Sequence, residues 1–220
     1  MHIQFDFLAV LENWPLLLTG VCWTIGLTVI ATIVGMILGV AFAWSRASGP
    51  VWLKWTVGSY VELIRNTPFI VQLFFIFFGL PAAGVRLSPD VAAVIAMVVS
   101  LSAYSTEIVR AGLAATPKGQ LEAAQSLALS RIQTFLHVIL PPALSKVWPA
   151  MTGQITLVML GSAVCSQISV PELSYATNLI QSRNFRSFEA SIIATVIYLV
   201  LAIVIRKILN WAGPRLLFRG

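Results

Sequence analysis

Residues 15–45 read PLLLTGVCWTIGLTVIATIVGMILGVAFAWS and contain no Asp, Glu, Lys or Arg. An α-helix that crosses the hydrocarbon core of a bilayer needs about 20 apolar residues. The stretch is also much longer than the apolar core of a signal peptide, and it follows the acidic residues Asp6 and Glu12. It therefore predicts a membrane-spanning helix that stays in the mature chain.

Four further apolar runs follow at 66–85, 87–106, 147–171 and 190–205. The chain of 220 residues is 58% hydrophobic and only 10% charged, with a mean hydropathy of +0.89. Since lipid offers no hydrogen bonds to an open backbone, and since the sequence lacks the alternation of membrane β-strands, each run should be helical. The predicted fold is all-α, a single polytopic domain over residues 1–220 with five transmembrane helices near 16–44, 55–81, 89–114, 139–165 and 188–211.

The basic residues predict how these helices are oriented. If residues 107–146 face the cytoplasm, that side also collects most of the basic residues, namely Arg46, Lys54, Arg110, Lys118, Arg131, Lys146, Arg206, Lys207, Arg215 and Arg219. By the positive-inside rule, the N-terminus then lies outside and the C-terminus inside. Because the basic residues border spans, the pI of about 9.8 does not indicate nucleic-acid binding.

Two glycines in the first predicted span, Gly35 and Gly39, lie four residues apart. This spacing lets another helix approach closely. Because it is frequent in membrane helices that never dimerise, packing within one chain is the favoured interpretation.

Two predicted spans contain charged residues with the spacing Glu-x-x-Arg, Glu62 with Arg65 and Glu107 with Arg110. Residues three apart share a helix face, so each pair could form an ion pair. Charges at membrane depth also mark functional sites, so a structural and a functional role both stay open. Pro68 should kink the helix that contains the first pair, because proline removes a backbone hydrogen bond.

Residues 116–146 predict two short amphipathic helices between spans three and four. Thr116 can cap the first, with Pro117 at its first position. Ser130 and Gln133 have capping-box spacing for the second, and Leu140-Pro141-Pro142 should end it before span four. The loop is longer than two neighbouring spans require, so it either contacts another protein or lies passively on the membrane surface.

The predicted outer loop, residues 166–187, is also long and contains Glu172, Arg183 and Arg186. This loop could bind a partner protein. An ordinary solvated loop is the simpler interpretation.

The cytoplasmic loop resembles the signature of binding-protein-dependent ABC importer permeases, which is Glu-Ala-Ala, a Gly four residues later and an Ile-x-Leu-Pro near the end. The corresponding residues are Glu122-Ala123-Ala124, Ala128 and Val138-Ile139-Leu140-Pro141. Ala128 replaces the usual Gly, so we expect that turn to be more helical than in the family.

Further motifs resemble the polar amino acid branch of that family. They are Tyr60-Val61-Glu62-Leu63-Ile64-Arg65-Asn66-Thr67-Pro68, Ala103-Tyr104-Ser105-Thr106-Glu107-Ile108-Val109-Arg110-Ala111-Gly112, Pro117-Lys118-Gly119-Gln120 and Pro171-Glu172-Leu173. Together the matches run in the expected order from about residue 17 to residue 200.

The resemblance implies a permease subunit of an ATP-driven importer in the bacterial plasma (inner) membrane. A soluble extracytoplasmic binding protein delivers the polar amino acid, or a derivative, to the outer face. Two permease subunits, identical or different, form the path, and two ATP-binding subunits hold the two cytoplasmic loops. ATP and Mg belong to those partners, and this chain itself binds no cofactor or metal. The implied ATPase contacts are Gly119, Gln120, Glu122, Ala123, Ala124, Leu127, Ala128 and Phe135, with the helix 118–128 docking into a cleft and Glu122 as its main contact.

The candidate substrate path consists of polar residues in or next to the spans. They are Glu62, Arg65, Asn66, Thr67, Gln72, Tyr104, Glu107, Gln154 and Thr156. We hypothesise that Glu62 binds the ammonium group of a zwitterionic substrate and Arg65 its carboxylate.

One segment departs from the family. The amino acid branch commonly has Lys-Asp-Thr-Ser-Leu in span four, where this chain has Leu160-Gly161-Ser162-Ala163-Val164. Either a second, different permease subunit supplies the charged pair, or a homodimer carries an unusual substrate.

Other function classes find less support. His2 and His137 are the only histidines, and no paired Asp, His-Glu, Gly-x-Ser-x-Gly or phosphate-binding Gly-x-x-x-x-Gly-Lys-Ser/Thr arrangement is present, so the chain is not expected to be an enzyme itself. A self-contained channel or carrier and a structural membrane subunit remain alternatives. Five spans without an inverted repeat make a poor carrier, and the loop 116–146 would have no role in it.

Overall fold

The computed structural model describes residues 5–217, so two residues named above, His2 and Arg219, lie outside the described residues. Two π-helical segments, Phe75–Gly79 and Thr134–Ile139, and two 3₁₀ helices, Leu80–Ala83 and Ser162–Ile168, join the α-helices. The α-helices are α1 (Leu8–Leu11), α2 (Trp14–Ser48), α3 (Val51–Arg65), α4 (Phe69–Phe74), α5 (Pro89–Ala114), α6 (Lys118–Ser126), α7 (Arg131–Gln133), α8 (Leu140–Gly161), α9 (Leu173–Asn184) and α10 (Ser187–Leu217). Within residues 5–217 there is no β-strand, which confirms the predicted all-α class.

Four helical stretches are long and apolar enough to cross a membrane. They are α2, α5, the continuous helix Arg131–Ile168, and α10 over Ser187–Gly213. A fifth span results if Val51–Arg65 and Phe69–Ala83 are counted as one broken span. The chain is thus a multi-pass membrane protein.

The kink expected at Pro68 is a sharp break, with a bend of 110° between the helical segments on its two sides. Pro68 has an extended backbone and no N–H to donate. The Gln72 side chain replaces hydrogen bonds that the break removes. Its Nε2 donates to the carbonyl oxygens of Ile64 at 2.8 Å and Thr67 at 3.0 Å. The Ile64 carbonyl lies in the last turn of α3 and the Thr67 carbonyl just after it, where no further helical N–H is available to bind them.

The centre of the bundle is the contact between α2 and α5. A Cβ atom added to Gly35 would lie 3.0 Å from the Leu101 Cβ, and one added to Gly39 would lie 2.5 Å from the Ser105 Cβ. Both glycines therefore serve helix packing within the chain, as expected from their spacing.

Buried apolar side chains fill three regions of the bundle. One lies between α2 and α5 around Leu27 and Leu101, and a second surrounds Trp148 and Met151 of α8. The third joins the N-terminal part of α2 to α9 and the start of α10 around Leu17, Leu173 and Ile180. The segment 166–187 is thus largely packed helix, and the simple solvated-loop interpretation is wrong for it.

The helices of residues 116–146 differ from the prediction in two places. Pro117, not Thr116, precedes the first residue of α6, and no side chain caps that helix. Pro141 and Pro142 do not end the second helix, because α7, the π-helical segment and α8 form one continuous helix over Arg131–Ile168. The prolines lie in the first turn of α8, where a missing N–H is tolerated.

The capping box predicted for the second helix is present. The Ser130 hydroxyl accepts the Gln133 N–H at 3.3 Å, and the Gln133 Oε1 accepts the Ser130 N–H at 2.9 Å. It fixes the point at which the continuous helix begins.

Ala128 does not make its turn more helical, contrary to expectation. Its φ is +52°, in the left-handed region that glycine usually occupies. The Ala128 N–H donates to the Gln125 carbonyl at 2.9 Å, and the Leu129 N–H donates to the Ala124 carbonyl at 3.2 Å. These are the two hydrogen bonds of a Schellman motif, so the turn keeps a glycine conformation with an alanine in it.

Candidate functional site

The surface of α6 is the first part of the candidate site. Leu127 is 73% exposed at its C-terminal end, and Glu122, Ala123 and Ala128 are also exposed. Gly119 faces open space, because a Cβ there would meet no atom within 4 Å. One face of this short helix is therefore free of contacts with the described residues.

Other residues predicted at this site lie beneath that face. The Phe135 ring stacks on Trp44 of α2 with ring centres 5.5 Å apart and is only 7% exposed. Ala124 is buried, and Gln120 is half-buried. These residues support α6 from below. At the end of α5, the Lys146 Nζ donates a hydrogen bond of 3.0 Å to the Ala115 carbonyl.

A charged cluster joins α2 and α5 on the same side of the bundle. The Glu107 Oε2 accepts from the Arg46 Nη1 at 2.8 Å, and the Glu107 Oε1 accepts from Arg110. The Glu107 side chain is 23% exposed. Glu107 thus forms the Glu-x-x-Arg ion pair that the sequence allows, and its carboxylate is fully engaged.

The other Glu-x-x-Arg pair, Glu62 and Arg65, has its two side chains in different surroundings. No Glu62–Arg65 ion pair occurs among the described residues, whose ion pairs lie elsewhere. The Arg65 guanidinium lies 5.5 Å from the centre of the Tyr104 ring. Glu62 instead lines a cavity of about 370 Å³ that it shares with Arg46, Lys54 and Arg110.

A second cavity, of about 210 Å³, lies within the membrane-spanning region between α4, α5 and α8. Tyr104 and Gln154, two of the predicted path residues, lie on its wall. Its lining consists of Phe69, Met97, Ser100, Tyr104, Gln154, Leu157, Val158 and Gly161. Arg65 adjoins the cavity through Tyr104, whose hydroxyl donates to the Arg65 carbonyl at 3.4 Å. The cavity therefore combines an apolar wall with an amide, two hydroxyls and a nearby guanidinium.

The remaining predicted path residues do not line this cavity. Thr67 and Gln72 hold the break between α3 and α4, and the Thr156 hydroxyl donates to the Thr152 carbonyl at 2.8 Å. Asn66 is exposed and donates to the Glu62 carbonyl.

Sequence reasoning missed Ser100 and Gly161 of the cavity wall. Gly161 lies in the segment that departs from the family motif, and a Cβ there would meet no atom within 4 Å. A larger side chain would project into space that is open in this structure.

A buried polar network at the other end of the bundle was also missed. Glu172 is fully buried and caps α9 by accepting the Tyr175 N–H at 2.8 Å. The Tyr198 hydroxyl of α10 donates to the Glu172 Oε2 at 2.5 Å, and Ser174 lies 2.9 Å from the same hydroxyl. Burial raises the pKa of the Glu172 carboxyl, because the charged form loses its hydration.

This network is tied to α2 as well. The Leu173 N–H donates to the Thr24 hydroxyl at 3.3 Å, and a Cβ on Gly20 would lie 2.7 Å from the Leu173 Cα. The Pro171-Glu172-Leu173 motif, singled out by resemblance, therefore joins α2, α9 and α10. Its single acidic residue before a helix was the signal that could have predicted a cap.

Known proteins resemble this chain over nearly its whole length. The chain is 37% identical to the L-cystine transport system permease protein TcyB of Bacillus subtilis (strain 168) over 196 residues, which are 87% of this chain and 84% of that protein. It is 33% identical to the glutamine transport system permease protein GlnP of Escherichia coli (strain K12) over 210 residues, covering 94% of this chain and 96% of that protein.

The fold is shared with a crystal structure described as an amino acid ABC transporter with histidines. The TM-score is 0.86 at 34% identity, and the superposition covers 97% of this chain and 100% of the other. Residues 31–218 match the family described as binding-protein-dependent transport system inner membrane component. With this match and two relatives above 30% identity along the chain, the protein belongs to the family of binding-protein-dependent transport system inner membrane components.

Proposed function

We propose that the chain is the permease subunit of an ATP-driven importer and forms half of a path for a polar amino acid or an amino acid derivative. The observation that carries this proposal is the cavity between α4, α5 and α8, which places Tyr104 and Gln154 on an apolar wall within the membrane-spanning region. The similarity to permeases named for L-cystine and glutamine supports an amino acid substrate.

The substrate carboxylate is assigned to Arg65. A guanidinium binds a carboxylate through two parallel hydrogen bonds, and the Tyr104 ring holds the Arg65 guanidinium next to the cavity. Gln154 and the Ser100 hydroxyl supply neutral hydrogen-bonding groups for the rest of the substrate. Glu62 lines the other cavity, so it meets the ammonium group only at a later stage of the path.

The path is completed by a second permease subunit. A wall of one bundle encloses only part of a route through the membrane, and the 210 Å³ cavity is open on one side in the single chain. The Lys-Asp pair missing from Leu160–Val164 leaves two options. A different permease subunit supplies the charged pair, or two copies of this chain carry an unusual substrate. A soluble extracytoplasmic binding protein delivers the substrate.

Two ATP-binding subunits complete the transporter, and we assign their contact to α6. Its exposed face bears Gly119, Glu122, Ala123, Leu127 and Ala128, and Gln120, Ala124 and Phe135 hold that face in place. ATP and Mg are bound by those subunits, and this chain contributes no cofactor site. The coupling loop extends over residues 116–138.

The orientation follows from the same assignment. With α6 in the cytoplasm, the N-terminus lies outside, the C-terminus inside, and the Glu172 network near the outer face of a bacterial inner membrane. In this arrangement the spans are α2, the broken pair α3 and α4, α5, the helix Arg131–Ile168, and α10.

A pull-down from solubilised membranes tests the proposal. Tagged wild type should recover an ATP-binding subunit and ATP hydrolysis, and Glu122→Arg should lose at least nine-tenths of both, because it reverses the charge at the centre of the exposed face. Glu12→Arg, a change of another exposed acidic residue near the N-terminus, is the matched control and should behave as wild type. If wild type recovers no ATPase, the importer proposal fails, and a channel or a structural subunit replaces it.

A further inference from the structure

Two hydrogen bonds, from Tyr198 and to Leu209, fasten the middle part of α10 to neighbouring elements. The Tyr198 hydroxyl donates to Glu172 at 2.5 Å. The Trp148 Nε1 of α8 donates to the Leu209 carbonyl at 3.1 Å, and Gly213 lies directly against the Trp148 ring. Between Tyr198 and Leu209, a gap separates the side chains of α10 from those of α2.

An apolar groove occupies the space between α2 and α10. Its volume is about 270 Å³, no polar atom is exposed on its wall, and Ile155 of α8 forms its buried floor. On the α2 side it is lined by residues such as Val29 and Ile33, and on the α10 side by Val204 and Ile208. These four side chains are all 44–56% exposed, so the groove opens on the outside of the bundle.

Thr28 and Thr32 also line the groove, but neither hydroxyl is exposed on its wall, so the groove offers water no hydrogen-bonding partner. Apolar cavities of about 150 Å³ stay dry and bind hydrocarbon molecules. The groove is larger and lies in the middle of two helices that are both apolar enough to span a membrane. The hydrocarbon that surrounds it in a bilayer is the acyl chain of a lipid.

A cation marks one end of the groove. Arg215 follows Ile208 by seven residues, which is about two turns further along the same face of α10. Its guanidinium lies 4.4 Å from the centre of the Trp211 ring. Among the residues that the structure describes, no acidic side chain forms an ion pair with Arg215.

We propose that the groove between α2 and α10 binds one acyl chain of an anionic phospholipid, whose phosphate lies at Arg215. The acyl chain would fill the gap between α2 and α10. The Arg215 guanidinium matches a phosphate in charge and in geometry. Because such a lipid binds only the folded bundle, it should stabilise it.

The test uses full-length protein purified in mild detergent and stripped of lipid, to which phosphatidylglycerol or phosphatidylcholine with identical acyl chains is added. Phosphatidylglycerol should raise the unfolding temperature of wild type by about 3 °C or more, and phosphatidylcholine should raise it by less. Val204→Trp fills the groove and should abolish both effects. Arg215→Gln should keep the effect of the acyl chain and lose the preference for the anionic lipid.

Matched controls come from the same helix. Val196→Trp changes a valine of similar exposure that does not line the groove, and Lys207→Gln removes a cation from another face of α10. Both should respond as wild type. If Val204→Trp does not fold, Val29→Trp fills the groove from α2.

The proposal is overturned if the groove-filling variant responds to lipid as wild type does. It is also overturned if the two lipids act equally on wild type, or if Lys207→Gln loses the preference that Arg215→Gln keeps. No step of this lipid-binding test requires an ATPase or a substrate. The result of the test is therefore independent of the importer proposal.

Discussion

The guanidinium of Arg65, at the end of α3, lies 5.5 Å from the centre of the Tyr104 ring in α5. The two residues are 39 positions apart in the chain, and the Tyr104 hydroxyl also donates to the Arg65 carbonyl. This contact holds a cation from the broken helix against a residue that forms part of the cavity wall.

Arg65→Gln tests that relationship. If Arg65 binds the substrate carboxylate, its loss should raise the half-saturating substrate concentration for uptake about tenfold or more, because a charge-assisted hydrogen bond is lost. Uptake of radiolabelled amino acids by proteoliposomes that contain the complete transporter measures this. Arg86→Gln, at an exposed position before α5, is the control and should leave uptake unchanged. Equal effects of the two changes would contradict a specific role for Arg65.

Ala128→Gly should stabilise the turn after α6 by about 1 kcal/mol, because an alanine in the left-handed region is strained and a glycine is not. Ala123→Gly provides a control of opposite sign, since a glycine inside an exposed helix costs about 1 kcal/mol. Hydrogen exchange of the amides in 118–135 measures both. Faster exchange in Ala128→Gly than in wild type would show that the turn is not strained.

Gly39→Ala should drive α2 and α5 apart, because the added Cβ would lie 2.5 Å from the Ser105 Cβ. We expect a loss of about 2 kcal/mol of unfolding free energy, typical of overpacking. Gly26→Ala in the same helix adds a Cβ that meets no atom within 4 Å and should be neutral or slightly stabilising. Thermal unfolding in one detergent compares them, and similar unfolding temperatures for the two variants would be inconsistent with close packing at Gly39.

Glu172→Gln should change the pH dependence of stability. Because burial raises the pKa of Glu172, the native state binds its proton more tightly than the unfolded chain does. The stability contributed by this proton is complete below about pH 4.3, the ordinary value for glutamate, and is lost as pH rises through the higher native value. The unfolding temperature of wild type relative to Glu172→Gln should therefore fall with rising pH over that window.

Glu12→Gln, at an exposed position, is the control for this measurement and should follow wild type. A constant difference between wild type and Glu172→Gln from about pH 4 to about pH 8 would mean that the carboxyl does not titrate in that window.

Much of the fold could be predicted because it depends on local chemistry. The apolar run 15–45 indicates a spanning helix, Pro68 predicts the break, and Ser130 with Gln133 predicts a helix start. Each of these signals acts within a few residues, and the structure contains the helix, the break and the capping box.

What could not be predicted depends on contacts between distant residues. Helix periodicity allows Glu62 to pair with Arg65, but only the packing of α3 on α5 shows that Tyr104 takes the guanidinium. Gly161 and Ser100 meet at a cavity only after three helices assemble. Glu172 reads as a loop residue in the sequence, and its burial follows from Tyr198, which lies 26 positions away.

The unbroken course of Arg131–Ile168 has a mechanical consequence. Phe135 beneath α6 and Gln154 at the cavity belong to one continuous helix, and at 1.5 Å per residue they lie about 28 Å apart along it. A tilt of about 10° around the Phe135 end displaces Gln154 by about 5 Å, roughly one helical turn. If Gln154 contacts the substrate as proposed, and if the helix does not bend at Pro149, a small rotation at the loop would therefore move that contact by about 5 Å.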